Sequence, residues 1–288
     1  MNFLLEKEIT NSKRIKKPDF STKTGREILA VYLSAKFQQI LEYDRNNQNP
    51  IFKSIHPNFV EKFTKRIINN PEKHFLIGIS GESASGKTTI CNTIKLVTEK
   101  LDMPVEILSA DNYFKDISSL IKKYGTFDKL LESGYDVDSP ENFQMDILFN
   151  DLDMLSKGID VKIPEYLVNG TGIVVPNAIP KKAKKIIVVE GMATMYGKVA
   201  DLFDLKLYVD IDPEIQEKWF LYRAQTSRNQ NEENARKQLE YVRGASKKYI
   251  LPRKKYSDII INGAASLDYF TQIINYIYSI TNNFSNPE

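Results

Sequence analysis

Residues 75–90 constrain the fold of this chain more than any other stretch. An apolar run leads directly into the pattern Gly-x-x-x-x-Gly-Lys-Thr, and apolar residues then recur at helical spacing. This order predicts a buried strand, a phosphate-binding loop (P-loop) and an amphipathic helix, with an accidental glycine-rich turn as the alternative. Backbone N–H groups would face a polyphosphate, Lys87 would reach its outer phosphates and Thr88 would hold Mg²⁺. The predicted nucleotide-binding residues are Gly81, Glu82, Ser83, Ala84, Ser85, Gly86, Lys87, Thr88 and Thr89.

Composition narrows the class of protein. The chain has 288 residues and a net charge of only +3, so we expect no nucleic-acid or membrane partner. Cys91 is the single cysteine, which predicts a small core residue and a reducing compartment. Charge interrupts the N-terminal apolar run early, and no apolar run approaches membrane-spanning length. We therefore expect a cytoplasmic protein.

Residues 1–72 have a pattern of their own. Helical spacing predicts one helix at about 25–43 and another at about 57–68. One interpretation is that this segment is a helical extension docked on a main domain at 73–288. The alternative is that it serves dimerisation or gates the substrate site. Dimerisation through this segment would make the protein a homo-oligomer. The broad apolar face predicted for the first helix consists of Ile28, Val31, Tyr32, Ala35, Phe37 and Ile40 or Leu41.

From residue 73 onward, short apolar runs alternate with amphipathic helices. Nearly continuous apolar runs are typical of strands buried on both faces, so we expect an α/β fold with a mainly parallel sheet. Ser139-Pro140 predicts the start of a helix, and Gly158 predicts its end. The predicted strands span residues 75–80, 105–109, 186–190, 205–209 and 258–261.

A β-hairpin is predicted at residues 161–176. Two apolar runs flank Asn169-Gly170-Thr-Gly172, and the Asn-Gly pair suits the positive φ angles of a tight turn. Such a hairpin cannot easily join the central parallel sheet. We expect it to project as a flap over the pocket at the strand ends, where ligands of such sheets bind.

Two carboxylates follow predicted strands. Asp111 comes just past the strand at 105–109, and Glu190 ends the strand at 186–190. Asp111 is a candidate general base that would take the proton of a substrate hydroxyl and orient its oxygen toward a γ-phosphorus. Glu190 is a candidate Mg²⁺ ligand acting through water. The structural alternatives are that Asp111 only caps a turn and that Glu190 only faces a helix N-terminus.

Two arginines are candidates for a lid at residues 223–236. Arg223 and Arg228 lie five residues apart, near a predicted helix end and a polar loop. Arginines on a mobile segment can close over a triphosphate and neutralise the charge that develops during transfer. A solvated helix face is the alternative.

Together these motifs resemble the uridine kinase and phosphoribulokinase family of P-loop kinases, from about residue 75 to about 267. The resemblance implies a P-loop kinase fold with a five-stranded parallel sheet, a hairpin that forms the substrate flap, and a kinase that uses ATP and Mg²⁺. The matching motifs are Gly78-Ile-Ser-Gly-Glu-Ser-Ala-Ser-Gly-Lys-Thr-Thr, Ser109-Ala-Asp-Asn-Tyr-Phe-Lys, Asp138-Ser-Pro-Glu-Asn-Phe, Ile163-Pro-Glu-Tyr, Val189-Glu-Gly-Met and Ile250-Leu-Pro-Arg-Lys-Lys-Tyr-Ser-Asp-Ile-Ile-Ile.

The same resemblance implies a role for each matching position. Asp138 would contact a sugar hydroxyl, and Tyr166 would stack on a nucleobase or contact its edge. The implied catalytic residues are Asp111, Lys87, Arg223 and Arg228. The implied metal ligands are Thr88 and Glu190. The implied substrate-binding residues are Asp111, Tyr113, Asp138, Tyr166, Arg223 and Gln238.

The flap departs from the pattern of uridine kinases. Those enzymes usually carry Asp-Phe and then a pyrimidine-reading histidine after the flap tyrosine, whereas Leu-Val-Asn-Gly-Thr follows Tyr166. His56 and His74, the two histidines, both lie upstream. Loss of a hydrogen-bonding residue weakens discrimination between substrates, so the flap alone does not specify a pyrimidine.

The leading prediction is an ATP-dependent kinase that phosphorylates a primary hydroxyl of a small sugar-containing substrate, with uridine or cytidine as the best single candidate. A kinase of a phosphorylated sugar, like phosphoribulokinase, would need basic residues in the flap, and residues 166–171 contain none. An alternative of another class is a regulatory protein that binds a nucleotide without turnover. Retention of Asp111 and Glu190 argues against that alternative.

Overall fold

A six-stranded sheet forms the centre of the computed structural model, which describes residues 19, 21–70, 72–100, 105–227 and 230–265. In spatial order the strands are β1, β8, β7, β2, β6 and β3, and every neighbouring pair except β1 and β8 is parallel. The mainly parallel α/β fold is therefore confirmed. The strands are β1 (Phe52–Ile55), β2 (Phe75–Gly81), β3 (Val105–Ser109), β6 (Ile186–Glu190), β7 (Leu205–Asp210) and β8 (Ile259–Asn262), while β4 (Val161–Tyr166) and β5 (Val174–Lys181) form a separate hairpin.

The prediction of five strands is corrected by β1. All five predicted strands are present within one residue at each end, but the N-terminal segment adds a sixth strand, antiparallel to β8. β1 has only four residues, and its central Lys53 and Ser54 are exposed. A short edge strand with polar residues lacks the apolar run that predicts a buried strand.

Helices cover the sheet. The predicted helix start at Ser139 is wrong, because Ser139 caps a short 3₁₀ turn at Pro140–Asn142 and the α-helix begins at Met145. Gly158 follows that helix with a φ of 84°, as its predicted end requires. The helices are α1 (Lys23–Arg45), α2 (Phe59–Asn69), α3 (Lys87–Lys100), α4 (Ser118–Tyr124), α5 (Phe127–Glu132), α6 (Met145–Ser156), α7 (Pro213–Ser227) and α8 (Glu232–Ala245).

Alternate residues of the sheet supply two separate cores. Leu76, Ile187 and Val189 pack on one face, whereas Ile77 and Val188 pack on the other. This follows from the alternation of side chains along a strand, and it explains why the strands are nearly continuous in apolar residues. Among the described helices, none is both long and apolar enough to cross a membrane.

Cys91 lies in the second core, on α3. It is 2% exposed, as the prediction of a small core residue requires. Burial raises the pKa of its thiol to about 12, which keeps the thiol protonated and unreactive.

The N-terminal segment packs against the edge of the sheet. The ring of Phe37 on α1 lies 5.1 Å from that of Phe59 on α2, measured between ring centroids. The predicted apolar face of α1 is broader than the buried one, because Ile28 and Val31 are 51% and 71% exposed. The contact between α1 and α2 buries only a narrow apolar stripe of α1. Apolar residues at the margins of the broad face therefore reach solvent.

The predicted hairpin is present as β4 and β5 and does not join the central sheet. Its turn differs from the prediction, since Gly170 and Gly172 have positive φ angles of 78° and 66° but Asn169 does not. The Asn169 side chain instead accepts a hydrogen bond from the backbone N–H of Thr171, at 3.1 Å. The turn is thus a longer loop and not a two-residue turn centred on Asn-Gly.

Candidate active site

The P-loop connects β2 to α3. Gly81 and Gly86 have φ angles of 151° and 96°, and Ala84 between them has a φ of 59°. A β-carbon on Gly81 would lie 2.6 Å from the carbonyl oxygen of Val209, so only glycine fits there. The N–H of Ile90 makes the bond to Gly86 that starts the helical ladder, at 3.1 Å. The N–H groups before it lack helical acceptors and can face an anion.

Lys87 lies over this loop. Its Nζ donates to the carbonyl oxygens of Gly81 and Glu82, at 3.0 and 2.8 Å. Burial lowers the pKa of Lys87, while the negative charges of Glu190 and Asp111 oppose that decrease. The lysine therefore shares one electrostatic environment with the two predicted carboxylates, and its two carbonyl partners are ones that a phosphate oxygen could replace.

Asp111 and Glu190 lie at adjacent strand ends. Asp111 is exposed, in a 3₁₀ turn that directly follows β3, and Ser109 caps this turn. Glu190 pairs with Ser109 at the end of β6. A β-carbon on Gly191 would lie 3.2 Å from Oδ1 of Asp111, which shows how closely the two strand ends approach. Burial raises the pKa of Glu190, Lys87 lowers it, and Asp111 raises it further.

The donor set fits Mg²⁺ bound together with a nucleotide. Thr88 exposes its side chain in the first turn of α3, and Glu190 supplies a carboxylate nearby on the sheet edge. Within the described ranges, no three His, Cys, Asp or Glu side chains are grouped so that they could hold a metal alone. Mg²⁺ suits such a site, because it retains several waters and takes phosphate oxygens as further ligands.

The flap reaches the same end of the sheet. The backbone N–H of Tyr166, at the end of β4, donates to Oδ1 of Asn112 at 3.2 Å. The centroid of its ring lies 5.3 Å from that of Phe114. Burial raises the pKa of Tyr166, and Asp111 and Asp116 raise it further. The structure thus brings the predicted flap tyrosine beside the predicted base.

Asp138 and Gln238 line one cavity of about 780 Å³ between the 127–138 segment and α8. The pKa of Asp138 is raised to about 6, first by burial and then by the charges of Asp111 and Asp136, against the opposing effect of Lys87. The Oε1 atom of Gln238 is buried, and it meets no hydrogen-bond partner in the described part of the chain. Of the two predicted contacts, Asp138 carries the charge and Gln238 lines the cavity without exposing its Oε1.

Comparison with known proteins identifies the family of this site. A family model described as "Phosphoribulokinase / Uridine kinase family" matches residues 76–268. The chain belongs to this family. It is 37% identical over 189 residues to a uridine kinase of Staphylococcus aureus, which covers 65% of this chain and 86% of the relative.

A solved structure shares the fold. This structure, described as a fructose transport system kinase from Silicibacter sp., has a TM-score of 0.51 at 15% sequence identity, covering 69% of this chain and 95% of that one. Membership of the family makes the chain a P-loop kinase, a transferase that moves a phosphoryl group to an alcohol acceptor. The family match begins at β2, so α1, β1 and α2 lie outside it.

One predicted substrate-binding residue is corrected by the structure. Tyr113 is fully buried, and its hydroxyl donates to Oδ2 of Asp151 at 2.8 Å. In the 3₁₀ turn, Ala110 and Tyr113 are three residues apart and so lie on the same side, which faces the core. Asp111 faces the other way. Burial raises the pKa of Tyr113, and Asp151 raises it further.

The structure places the arginines of the predicted lid in different surroundings. Arg223, on α7, donates from Nη2 to Oγ of Ser83 in the P-loop at 3.0 Å. Arg228 lies outside the described residues. Within the expected lid, Arg236 forms ion pairs with Glu217 and Glu232, at 2.5 and 2.8 Å. Of the predicted lid, the structure therefore brings Arg223 to the P-loop and holds Arg236 on the surface.

Two residues at the P-loop were missed by sequence reasoning. Gln216 donates from Nε2 to the carbonyl of Ser83 at 3.0 Å, and Ser246 donates to Oε1 of Glu82 at 2.6 Å. Gln216 precedes Arg223 by two helical turns, so helical spacing from a recognised arginine could have indicated it. No local pattern indicates Ser246, which reaches the P-loop from a turn after α8.

Proposed function

We propose that this kinase transfers the γ-phosphoryl group of ATP to a primary hydroxyl of a small sugar-containing metabolite, with uridine or cytidine as the best candidate acceptors. The observation that carries the proposal is geometric: Lys87 bonds to the carbonyl oxygens of the P-loop, and Asp111 and Glu190 lie together at the adjacent strand ends. One cation and two carboxylates, placed beside a loop that can bind anions, are the parts that phosphoryl transfer requires.

The chemistry assigned to these residues is positioning and charge stabilisation. Asp111 would accept the proton of the acceptor hydroxyl as its oxygen forms a bond to the γ-phosphorus. The bond from that phosphorus to the bridging oxygen breaks, and the electron pair leaves with ADP. Lys87 would move from its carbonyl partners to the phosphates, where its charge and that of Arg223 would stabilise the transferring group. Mg²⁺, held by Thr88 and through water by Glu190, would neutralise phosphate charge.

Three side chains support a hydroxyl-rich acceptor. Asp138 offers a carboxylate to a sugar hydroxyl, and Gln238 lines the same cavity. Tyr166, half-buried beside Asp111, offers an aromatic face to a base. Together they would hold the acceptor with its primary hydroxyl toward Asp111, as in-line transfer requires.

The charge of the cavity favours an acceptor without a phosphate. Its two lysines are already engaged, since Lys237 pairs with Glu233 and Lys248 pairs with Asp136. A sugar phosphate would meet uncompensated negative charge there, and like charges in a cleft repel. This argues against the acceptor type of phosphoribulokinase. The carboxylates that line the cavity are Asp128, Glu132, Asp136, Asp138 and Glu240.

A panel of acceptors tests the proposal. Purified protein with ATP and Mg²⁺ would be assayed for ADP release with uridine, cytidine, purine nucleosides, free sugars and sugar phosphates. The proposal predicts turnover with a neutral sugar-containing hydroxyl compound, with uridine or cytidine the most active. Turnover confined to a sugar phosphate would contradict it, and turnover with another neutral compound would overturn only the pyrimidine assignment.

A further inference from the structure

The two histidines of the chain lie far from the flap. The backbone N–H of His74, just before β2, donates to the carbonyl of Ser156 at 2.9 Å. That of His56 donates to the carbonyl of Asp258, just before β8, at 2.8 Å. Both histidines are therefore at the amino ends of the strands, whereas Asp111 and the flap are at the carboxyl ends. A pyrimidine acceptor bound at the flap needs another side chain to distinguish its edge.

Asn112 is placed to supply that contact. It follows the candidate base Asp111 in the 3₁₀ turn after β3, and its Oδ1 accepts from the backbone N–H of Tyr166 in the flap at 3.2 Å. We propose that Nδ2 of Asn112 donates a hydrogen bond to the carbonyl oxygen at position 4 of a uracil base, so that the kinase prefers uridine to cytidine. This inference rests on the proposed function, and it makes Asn112 a specificity-determining residue.

The flap fixes the orientation of the Asn112 amide. A backbone N–H can bond only to the amide oxygen, because the amino group is a donor and not an acceptor. The Nδ2 atom of Asn112 therefore points away from the backbone of Tyr166. Among the residues that the structure describes, no acceptor is bonded to this atom, and the side chain is partly exposed. Its amino group is thus available to a ligand.

Two other amides beside this segment already use their amino groups. Nδ2 of Asn142 donates to two backbone carbonyls, at 2.6 and 3.2 Å. Nε2 of Gln144 donates to the backbone carbonyl of Phe114 at 2.9 Å. Turning either amino group toward a ligand would leave a partly buried carbonyl without its donor. Asn112 differs from both because only its oxygen is engaged with the backbone.

The surroundings of Asn112 suit a base. The ring centroid of Phe114 lies 5.3 Å from that of Tyr166 and 4.2 Å from that of Phe143. Aromatic faces beside an available donor combine stacking with one directional contact. Asp111 approaches the end of β6, while Asn112 contacts the flap. A nucleoside with its primary hydroxyl at Asp111 would therefore extend its base toward Asn112.

Uracil and cytosine differ in the polarity of the group at position 4. Uracil has a carbonyl oxygen there, which accepts a hydrogen bond, and cytosine has an amino group, which donates one. This group lies across the ring from the ribose, so it reaches farthest from the primary hydroxyl. The amino group of Asn112 can bond to the oxygen of uracil and opposes the amino group of cytosine, since two donors cannot bond to each other.

The ratio of kcat/KM for uridine to that for cytidine tests the inference. Asn112→Asp retains the shape of the side chain and the oxygen that bonds to Tyr166, but replaces the amino group with an acceptor. The wild type should favour uridine about tenfold, the scale of one hydrogen bond, and Asn112→Asp should favour cytidine. Asn112→Ala should bring the ratio close to unity. Asn177→Asp, which adds the same charge at an exposed position of β5 in the same hairpin, is the matched control and should keep the wild-type ratio.

A general loss of stability or activity cancels in this ratio, because both nucleosides are assayed with the same enzyme. The wild type alone provides a second test with the riboside of pyrimidin-2-one, which has no exocyclic group at position 4. Its kcat/KM should be about tenfold below that of uridine.

Three results would overturn the inference while leaving the proposed function intact. They are equal kcat/KM for this riboside and uridine, a wild-type preference for cytidine, and an unchanged ratio in Asn112→Asp. Absence of turnover with every pyrimidine nucleoside would instead overturn the pyrimidine assignment of the proposed function and this inference with it. The two failures are therefore distinguishable.

Discussion

Replacing Asp138 with asparagine should stabilise the protein by an amount that depends on pH. The pKa of Asp138 is raised from 3.8 to about 6, first by burial and then by Asp111 and Asp136. An acid whose native pKa exceeds its unfolded pKa binds its proton more tightly when folded, so ionisation opposes folding. The loss of folding free energy caused by this ionisation is absent below the unfolded pKa. It grows between the two pKa values and reaches its full size above the native pKa.

The magnitude follows from the two pKa values. A shift of about two units, at about 1.4 kcal/mol each, makes the penalty about 3 kcal/mol near pH 8. The same two values give about 1 kcal/mol near pH 4.5, where the native carboxyl is mostly protonated. The gain in the free energy of unfolding from Asp138→Asn, relative to wild type, should therefore be about 2 kcal/mol larger near pH 8 than near pH 4.5. Taking the difference between the two pH values cancels any pH-independent effect of the substitution itself.

Urea unfolding of wild type and Asp138→Asn near pH 8 and near pH 4.5 measures this difference. Asp128→Asn removes one negative charge from the exposed rim of the same cavity and serves as the control. A stability gain of Asp138→Asn that is equal at both pH values would refute the reasoning. The same variant should raise KM for the acceptor, because the proposal places Asp138 in contact with it. A gain in stability at the expense of binding is typical of functional sites.

Three further substitutions test individual contacts. Tyr113→Phe removes the hydrogen bond to Asp151 and should lower the free energy of unfolding by about 1–3 kcal/mol in urea titrations, with KM for the acceptor unchanged. A higher KM would restore Tyr113 as a substrate contact. Arg66→Ala removes the cation 2.6 Å from the buried carboxylate of Asp204 and should lower the free energy of unfolding by about 3–5 kcal/mol. A decrease of less than about 1 kcal/mol would contradict the burial of this ion pair. Gly263→Ala should raise KM for ATP at least tenfold in steady-state assays, because its β-carbon would meet a P-loop carbonyl at 1.9 Å; an unchanged KM would contradict the close approach.

The sequence predicted the parts of the fold that depend on local pattern. The five buried parallel strands are continuous apolar runs, and the P-loop is specified by glycines that few other residues can replace at positive φ. Strand ends of a parallel sheet meet at one edge, so the sequence predicts that Asp111 and Glu190 lie together. These predictions needed no information about distant contacts.

What the sequence could not predict depends on such contacts. The orientation of Tyr113 follows from a 3₁₀ turn, which a motif match does not reveal. β1 is a strand because β8 has an open edge, and its own four residues carry little apolar pattern. Asn169 avoids a positive φ because its side chain bonds within a longer loop. In each case tertiary context decides between conformations that local preference leaves nearly equal.

Asp111→Asn tests the central claim most directly, namely that Asp111 and the P-loop act on the same phosphorus atom. Calorimetry would measure its affinity for ATP, and rapid-quench single turnovers would measure the transfer step with the best acceptor. We expect ATP affinity within a few-fold of wild type and transfer slowed at least about a hundredfold, the scale of general-base catalysis. Transfer at the wild-type rate, with ATP bound normally, would contradict the account.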